Sequence, residues 1–419
     1  CAQGSVDEGG NWFCQQVSQI LYTNVGTTAG SYNEVVNMDS ATGACQKTPK
    51  AIAGGLAPFD EPISLHFRGP ANLIQFAVYT PGTKTKRDSI DSVVAKRHGH
   101  KHARYQHAHL HSEREAPHKV EEKREHPTIW VTATINGAVV SWTNDYWGPD
   151  DVATPAPAAP AAASTAPAAA PAPAASTPAA VVADPSPTPS SAPVTGDYVR
   201  SAYYNSNSGA ASGLVFLGNY GGVAGSGAWS TTFGNSLSYL DSTGTTGASS
   251  PQVLSNVTIP SVKEFSIFSD EPCDESCGYV QPGSVAYKGF GGADKTILAE
   301  FTMPHENPNG FLADQPAFWA LNAKIPRTQQ YGGCSCWPEC GEFDILETLA
   351  NGDDKCKSTL HAGPRSGGDS NYFDRPVAKS VKVAVVFDSA SNSVSVKVLD
   401  DSTVFGESLS ADDIQGFLT

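Results

Sequence analysis

Charged residues and long apolar runs are both scarce in this chain. Only 16% of its 419 residues are Asp, Glu, Lys or Arg. It has no run of about 20 apolar residues, the length that a transmembrane helix requires, so we expect no association with a membrane. The 27 basic residues are outnumbered by 42 acidic ones, which gives a net charge of −15. Because phosphate binding requires a basic surface, we expect no nucleic acid partner, whereas a neutral polysaccharide makes no such demand.

The two ends of the chain also lack familiar features. The first residue is Cys1 rather than Met, which predicts that a signal peptide has been removed. Residues 414–419 lack the hydrophobic tail of a lipid-anchor signal. Gly, Ser, Thr and Ala are abundant instead, and this composition favours an extracellular β-rich protein over a cytosolic helical one. We therefore expect a secreted monomer.

The nine cysteines form an N-terminal set of three and a C-terminal set of six. In the second set, Cys334, Cys336, Cys340 and Cys356 have spacings that would suit zinc. In a secreted protein the same cluster favours disulfides, so we predict no metal and no cofactor. The sequence does not select the pairing. An odd count leaves one thiol free, or a disulfide joins the two halves.

Changes in composition divide the chain into three parts. Residues 1–148 predict a smaller β-rich N-terminal domain, which is interrupted at 84–127 by a basic, His-rich insertion with too few apolar residues for a core. Residues 149–196 are almost entirely Ala, Pro, Ser and Thr, which is typical of a disordered, extended and O-glycosylated linker. Residues 197–419 form the second predicted domain.

The second domain carries the pattern of a β-sandwich. Short apolar segments alternate with Gly- and Ser-rich turns, most clearly at residues 381–387 and 394–398. Many short strands of this kind predict a sandwich or jelly roll, so the fold class is all-β. Asn256 begins the one Asn-x-Ser/Thr sequence and is the predicted glycosylation site.

The insertion has two further features. It contains three Lys-Arg pairs, which favour cleavage by a processing protease over chance dibasic steps in an exposed loop. Residues 84–126 also hold 8 of the 11 histidines. Alternating histidines can bind a transition metal, but no Cys or carboxylate frame accompanies them, so a solvated linker is the favoured interpretation.

The most informative segment is Glu-Phe-Asp-Ile-Leu-Glu at residues 342–347. On an extended strand Glu342 and Asp344 share a face, but strict alternation would turn Glu347 to the other side. One extra residue, a β-bulge, would return Glu347 to the shared face, and bulges are common beside active sites. The alternative is a charged helix face, but the apolar residues of this segment would form no clean helical stripe.

In its context this motif resembles the bulged catalytic strand of family 16 glycoside hydrolases. Residues 316–321 resemble the strand before it and residues 359–361 the strand after it. With residues 10–14 included, the chain resembles the fungal "target of SBF" cell-wall protein family outside the central linkers. The resemblance implies that Glu342 is a nucleophile and Glu347 the general acid/base. Asp344, between them, is expected to hydrogen-bond the nucleophile and tune its charge.

The neighbouring strands suggest how a sugar is held. Trp319 and Trp337 are candidate platforms for pyranose rings, although a tryptophan in a β-sandwich more often packs in the core. His361 and Asn322 are candidate hydrogen-bond partners for hydroxyl groups.

We therefore expect a secreted, extracellular cell-wall enzyme whose partner is β-glucan. The leading hypothesis is an endo-β-1,3-glucanase that acts by a retaining double displacement. One alternative is transglycosylation, in which a second glucan replaces water. Another is a non-catalytic glucan-binding or structural wall protein.

Overall fold

The computed structural model of the protein describes residues 6–8, 11–82, 130–135, 138–143 and 198–419, except residues 308, 309, 311 and 364. The predicted Lys-Arg cleavage sites, the His-rich run and the Ala/Pro/Ser/Thr linker lie outside the described residues. Within the described part no helix is long and apolar enough to cross a membrane.

The regular secondary structure of the described residues consists almost entirely of β-strands. In chain order the strands are β1 (Val6–Glu8), β2 (Asn11–Phe13), β3 (Gln19–Tyr22), β4 (Gly30–Met38), β5 (Cys45–Ile52), β6 (Ile63–Arg68), β7 (Asn72–Pro81), β8 (Trp130–Ile135), β9 (Ala138–Thr143), β10 (Tyr198–Asn205), β11 (Ala210–Ser212), β12 (Leu214–Gly218), β13 (Trp229–Ser230), β14 (Gly234–Asn235), β15 (Ser238–Leu240), β16 (Gly247–Ala248), β17 (Glu264–Ser269), β18 (Lys295–Thr302), β19 (Ala317–Asn322), β20 (Glu342–Thr348), β21 (Lys355–Ala362), β22 (Arg365–Gly368), β23 (Phe373–Asp374), β24 (Val381–Asp388), β25 (Ser393–Leu399) and β26 (Ser408–Leu409). The helical elements are a 3₁₀ turn (Glu275–Cys277), α1 (Lys324–Arg327) and α2 (Ala411–Leu418). The all-β prediction is confirmed.

Two large antiparallel sheets contain most of the strands. The first, sheet A, has the order β11-β10-β7-β18-β24-β25-β3, with β26 beside β10. The second, sheet B, has the order β16-β15-β12-β17-β6-β19-β20-β21-β22, with β23 beside β21. The main hydrophobic core contains residues from both sheets, such as Phe76 and Val385 of sheet A and Phe67 and Phe343 of sheet B. This arrangement is the predicted β-sandwich.

Strand β6 shows how side-chain alternation builds the two faces of sheet B. Its residues Ile63, Leu65 and Phe67 are fully buried in the main core. The Phe67 ring stacks on that of Phe318 with centroids 4.4 Å apart. Successive side chains of a strand point to opposite faces, so the polar residues between the core residues are directed to the other face of the sheet.

The predicted boundary between an N-terminal domain at 1–148 and a second domain at 197–419 is wrong. The described residues within 1–84 and 189–419 belong to one compact unit, and the described residues within 85–188 belong to a second unit. Strand β6 pairs with β17 and β19, while β7 pairs with β10 and β18. In a separate N-terminal domain these backbone groups would need other partners, because buried N–H and C=O groups must be hydrogen-bonded. The second unit contains the β8–β9 hairpin.

The disulfide prediction is confirmed for the cysteine cluster that precedes β20. Cys336 pairs with Cys340, and Cys334 pairs with Cys45, which is 289 residues away in sequence. Cys273 pairs with Cys277. Cys356, which was expected to take part in the disulfides of this cluster, is instead free and buried. The Cys45–Cys334 bond links the N-terminal set of cysteines to the C-terminal set.

Candidate active site

The carboxylate motif lies on strand β20, which is bulged as expected. Asp344 pairs with Trp319 on β19, but the next pair along is Leu346 with Phe318, so β20 has one extra residue between them. The pairing with β21 shifts at the same place. As a result Phe343, Ile345 and Leu346 all enter the main core, and the three carboxylate residues lie on the opposite face. We call this surface of sheet B the carboxylate face.

Paired residues of five strands form three rows across the carboxylate face. From β17 through β6, β19 and β20 to β21, the first row is Glu264, Arg68, Ala317, Glu347 and Lys357; the second is Ser266, His66, Trp319, Asp344 and Thr359; the third, from β6 onward, is Ser64, Leu321, Glu342 and His361. Of the three carboxylate residues of β20, Glu347 therefore lies in the first row, Asp344 in the middle row and Glu342 in the third row.

Glu342 and Asp344 form a tight group with His361. The indole Nε1 of Trp337 donates a 2.6 Å hydrogen bond to Glu342 Oε2. His361 Nε2 lies 3.3 Å from Asp344 Oδ2. One polar atom from each of Glu342, Asp344 and His361 lies within 4.8 Å of the others. Carboxylate and imidazole are residue types that can hold a cation.

Burial and mutual repulsion shift the titration of these groups. Burial, reinforced by the negative charge of Asp344, raises the pKa of Glu342 to about 8. The same two causes raise the pKa of Glu347. The hydrogen bond with Asp344 raises the pKa of His361. Carboxylates held close together cannot all ionise easily, so this face retains protons at a pH where isolated carboxylates would have lost them.

Arg68 of β6 is a site residue that the sequence analysis missed. Its Nη2 lies 2.9 Å from Glu347 Oε1, and its Nε donates to the Gln315 carbonyl at 2.7 Å. The guanidinium carbon is 5.9 Å from the ring centre of Trp319. The available signal was the polar alternation of Ser64, His66 and Arg68 between core residues of β6, but that pattern does not reveal which strand lies next to it.

His66 is the second residue that the sequence analysis missed. It is only 1% exposed, and each ring nitrogen lies 2.8 Å from a serine hydroxyl, Ser64 on one side and Ser266 on the other. Burial lowers the pKa of His66 to about 3, so its ring is neutral. The imidazole stacks on Trp319 with centroids 5.2 Å apart. His66 thus holds the Trp319 ring rather than offering a proton.

The predicted sugar-binding residues are placed differently from one another. Trp337 and His361 contact the carboxylates directly. Trp319 is only 6% exposed, so it forms the floor of the face rather than an open platform. Asn322 is 1% exposed and does not reach the face: its amide donates to Glu61 Oε2 and the Cys340 carbonyl, and its oxygen accepts the Lys324 N–H. Asn322 therefore fastens the loop that leads to β20.

An ion-pair network and a disulfide fasten the same loop to the β4–β5 hairpin. Lys324 Nζ lies 2.7 Å from Glu34 and 2.8 Å from Glu61. Burial opposes ionisation of Glu61, but hydrogen bonds from Lys324, Lys50 and Asn322 lower its pKa to about 2. Together with the Cys45–Cys334 bond, these contacts position Trp337 beside Glu342.

Two other features lie away from the carboxylates. Asn256 is exposed and its amide bonds to Asn207, so the predicted glycosylation site is on the surface. A cavity of about 860 Å³ opens near β3 and β21. Asp369 is the one carboxylate among its described lining residues, so this cavity lacks the paired carboxyl groups that glycosidic chemistry needs.

Comparisons with known proteins agree with this architecture. The family model for the C-terminal part of cell wall protein YJL171C/Tos1 matches residues 196–417, and the model for its N-terminal part matches residues 18–81. The chain belongs to the YJL171C/Tos1 cell wall protein family. Strands from both matched segments pair with one another in sheets A and B. The two segments, which are separate in the sequence, therefore belong to the same β-sandwich.

Named relatives extend over nearly the whole chain. A Saccharomyces cerevisiae protein named probable circularly permuted 1,3-beta-glucanase TOS1 is 41% identical across 98% of this chain and 92% of its own length. A similarly named Schizosaccharomyces pombe protein is 39% identical across 100% of this chain and 94% of its own length. A Candida albicans protein named probable circularly permuted 1,3-beta-glucanase TOS1 is 36% identical across 98% of this chain and 92% of its own length. No solved structure showed significant similarity.

Proposed function

We propose that this chain is a secreted endo-β-1,3-glucanase of the cell wall that hydrolyses its substrate with retention of configuration. The observation that carries the proposal is the bulged strand that presents Glu342, Asp344 and Glu347 on one face. Retaining glycosidases require two carboxyl groups on opposite sides of the scissile bond. The names of the relatives support β-1,3-glucan as the substrate, and the net charge of −15 is compatible with a neutral polymer.

In the first step the carboxylate of Glu342 attacks the anomeric carbon. The bond from that carbon to the glycosidic oxygen breaks, and Glu347 gives its proton to the departing sugar. In the second step Glu347, now a base, removes a proton from water as the water oxygen attacks the same carbon and releases Glu342. Two inversions at one carbon leave the product with the configuration of the substrate.

The two glutamates have different hydrogen-bond donors, Trp337 at Glu342 and Arg68 at Glu347. The mechanism needs a proton on Glu347 and none on Glu342. Because Trp337 donates a hydrogen bond to Glu342, it favours the ionised form of that carboxylate. Burial and Asp344 raise the pKa of both glutamates, that of Glu342 to about 8, so these causes favour a proton on either one. The Trp337 N–H opposes the proton on Glu342, and the Arg68 charge opposes it on Glu347. Asp344, whose Oδ2 lies 3.3 Å from His361 Nε2, is in the middle row between the two glutamates.

Laminarin provides the direct test. We expect the full chain to generate new reducing ends from laminarin, and NMR of the first products should show the β-anomer. Glu342→Gln and Glu347→Gln should each slow the reaction by at least about 10²-fold. The matched control is Glu407→Gln, at an exposed site just before β26 of sheet A. Longer and shorter oligosaccharides without new reducing ends would instead indicate transglycosylation. Binding of laminarin without any change in it would reject the enzymatic assignment.

A further inference from the structure

Arg68 lies between two carboxylates that belong to different strands. Its Nη2 is 2.9 Å from Glu347 Oε1 on one side, and its Nη1 is 3.9 Å from Glu264 Oε1 on the other. The side chains of Arg68, Glu347 and Glu264 are only 10%, 24% and 23% exposed. Their charges are therefore poorly screened by water, so each proton or charge in this row affects its neighbours.

An ion pair between Arg68 and Glu347 alone would oppose the proposed role of Glu347. An arginine beside a carboxyl group favours the ionised form and lowers its pKa by about 1–3 units. A general acid must instead be protonated when the substrate is bound. If Glu347 is protonated, Arg68 loses its charged partner, and an uncompensated buried cation is costly.

We propose that Glu264 is a positioning residue that balances the charge of Arg68, so that Glu347 keeps the proton it donates to the leaving sugar. Arg68 then has a carboxylate partner whether Glu347 is charged or neutral. This inference rests on the proposed acid/base role of Glu347. Glu264 does not touch the reacting atoms; it acts through Arg68.

Tyr331 holds Glu264 in this arrangement. Its hydroxyl donates a hydrogen bond to Glu264 Oε2, although the residue as a whole is 64% exposed. Burial raises the pKa of Glu264, whereas the Tyr331 hydroxyl and the Arg68 charge favour its ionised form. Tyr331 belongs to the loop that Cys334 fastens to the β4–β5 hairpin. One loop thus contacts Glu264 through Tyr331 and Glu342 through Trp337.

Other charged or titratable groups also face this row. The groups near Glu347 or Glu264 come from two strands and from loops: Asp344 and Glu342 on β20, His361 and Lys357 on β21, and Tyr331 and Tyr220 in loops. Lys357 donates to the main-chain oxygens of Trp12 and Asp369, so its charge has oxygen partners of its own. Among the described side chains, Arg68 is the cation within 4.0 Å of both Glu347 and Glu264.

The test is the pH dependence of kcat/KM in Glu264→Gln, measured with two substrates. For a β-1,3-gluco-oligosaccharide, whose leaving sugar needs a proton, we expect the alkaline limb to move to lower pH by about one unit. A dinitrophenyl β-glycoside departs without a proton, so its kcat/KM should change by less than about twofold. Glu271→Gln, at an exposed carboxylate paired with Lys288, is the matched control.

Two further measurements keep the inference falsifiable if Glu264→Gln is unstable or the activity is absent. Glu264→Asp retains the charge and should move the limb less than the glutamine variant does. In protein labelled at the glutamate carboxyl carbons, NMR should give a lower titration midpoint for Glu347 in either variant, with the signal identified by its loss in Glu347→Gln.

The outcomes separate the two proposals. An unmoved alkaline limb and an unmoved Glu347 midpoint overturn the role of Glu264, even if the wild type hydrolyses glucan. Equal losses with both substrates also overturn it, because they indicate general damage to the site. A wild type that cleaves neither substrate rejects the proposed function, while the NMR midpoint still decides whether Glu264 sets the protonation of Glu347.

Discussion

The two ends of the carboxylate face hold the same kind of side chain in different ways. At one end Glu342 receives a hydrogen bond from the neutral indole of Trp337, on a loop fastened by disulfides. At the other end Glu347 faces the cation Arg68, which comes from a strand about 280 residues earlier in the chain and is shared with Glu264. Two carboxyl groups in different environments can take opposite proton states and therefore opposite roles.

The comparison also shows that the site has two origins. The Glu342 end is built from residues close in sequence, since Trp337 and Glu342 are five positions apart. The Glu347 end requires β6 and β17 to lie beside β19. Under the proposed function, changes at the first end should affect the nucleophile, and changes at the second end should affect the proton that is donated to the leaving sugar.

The largest effect should come from removing the acid/base. Glu347→Gln is expected to lower kcat on laminarin by about 10²–10⁴-fold. Added azide should restore turnover of a dinitrophenyl β-glycoside, because azide attacks the glycosyl intermediate without needing a base. Azide should not rescue Glu342→Gln, in which no intermediate forms. If azide instead rescued Glu342→Gln and not Glu347→Gln, Glu347 would be assigned as the nucleophile and Glu342 as the acid/base.

A smaller effect should come from removing the hydrogen bond at the Glu342 end. Trp337→Phe keeps an aromatic ring but removes the N–H, and a hydrogen bond to a charged group contributes about 1.5–3 kcal/mol. The pKa of Glu342 should rise, because the ionised form loses its donor, so the acidic limb of kcat/KM should move to higher pH. At low pH we expect about a tenfold loss. Trp229→Phe, at an exposed tryptophan, is the matched control, and equal effects in the two variants would contradict this assignment.

The smallest effect should come from removing the cation at the Glu347 end. Without Arg68 the protonated form of Glu347 is favoured, so its pKa should rise. In Arg68→Met the alkaline limb should move to higher pH by about one unit, opposite in sign to the shift expected for Glu264→Gln. Arg68→Lys keeps the positive charge, so its alkaline limb should shift less than that of Arg68→Met. A shift to lower pH in Arg68→Met would show that Arg68 does not stabilise the ionised form of Glu347.

The local sequence pattern was enough to predict the bulged strand that carries the carboxylates. Three apolar residues, Phe343, Ile345 and Leu346, must enter the core, and three carboxylates must avoid it. With that spacing a bulge is the arrangement that satisfies both demands. Disulfides in the cysteine cluster before β20 were likewise expected, whereas their pairing and the free Cys356 were not. The domain boundary was not predictable, because a change of composition at residue 84 marks an insertion in the chain and not the edge of a sheet.

The roles of individual side chains depended on contacts that no local pattern reports. Asn322 was expected to bind sugar, yet its amide is fully engaged by Glu61 and Cys340. Trp319 was expected as a platform, yet His66 covers one side of its ring. Burial and hydrogen-bond satisfaction depend on neighbours from distant segments, so residue type alone could not separate a sugar contact from a structural one.

The all-β class, the bulged carboxylate strand and the disulfide-bonded loop before it follow from the amino-acid sequence, because they depend on side-chain alternation and on short spacings. The placement of Arg68, His66 and Glu264 on the same face as Glu342 and Glu347 becomes apparent only in the folded protein. The reason is strand pairing: backbone hydrogen bonds are alike for every residue, so a strand's neighbours are chosen by the packing of the whole core. The protonation of Glu347 therefore depends on a strand that its own sequence neighbourhood does not contain.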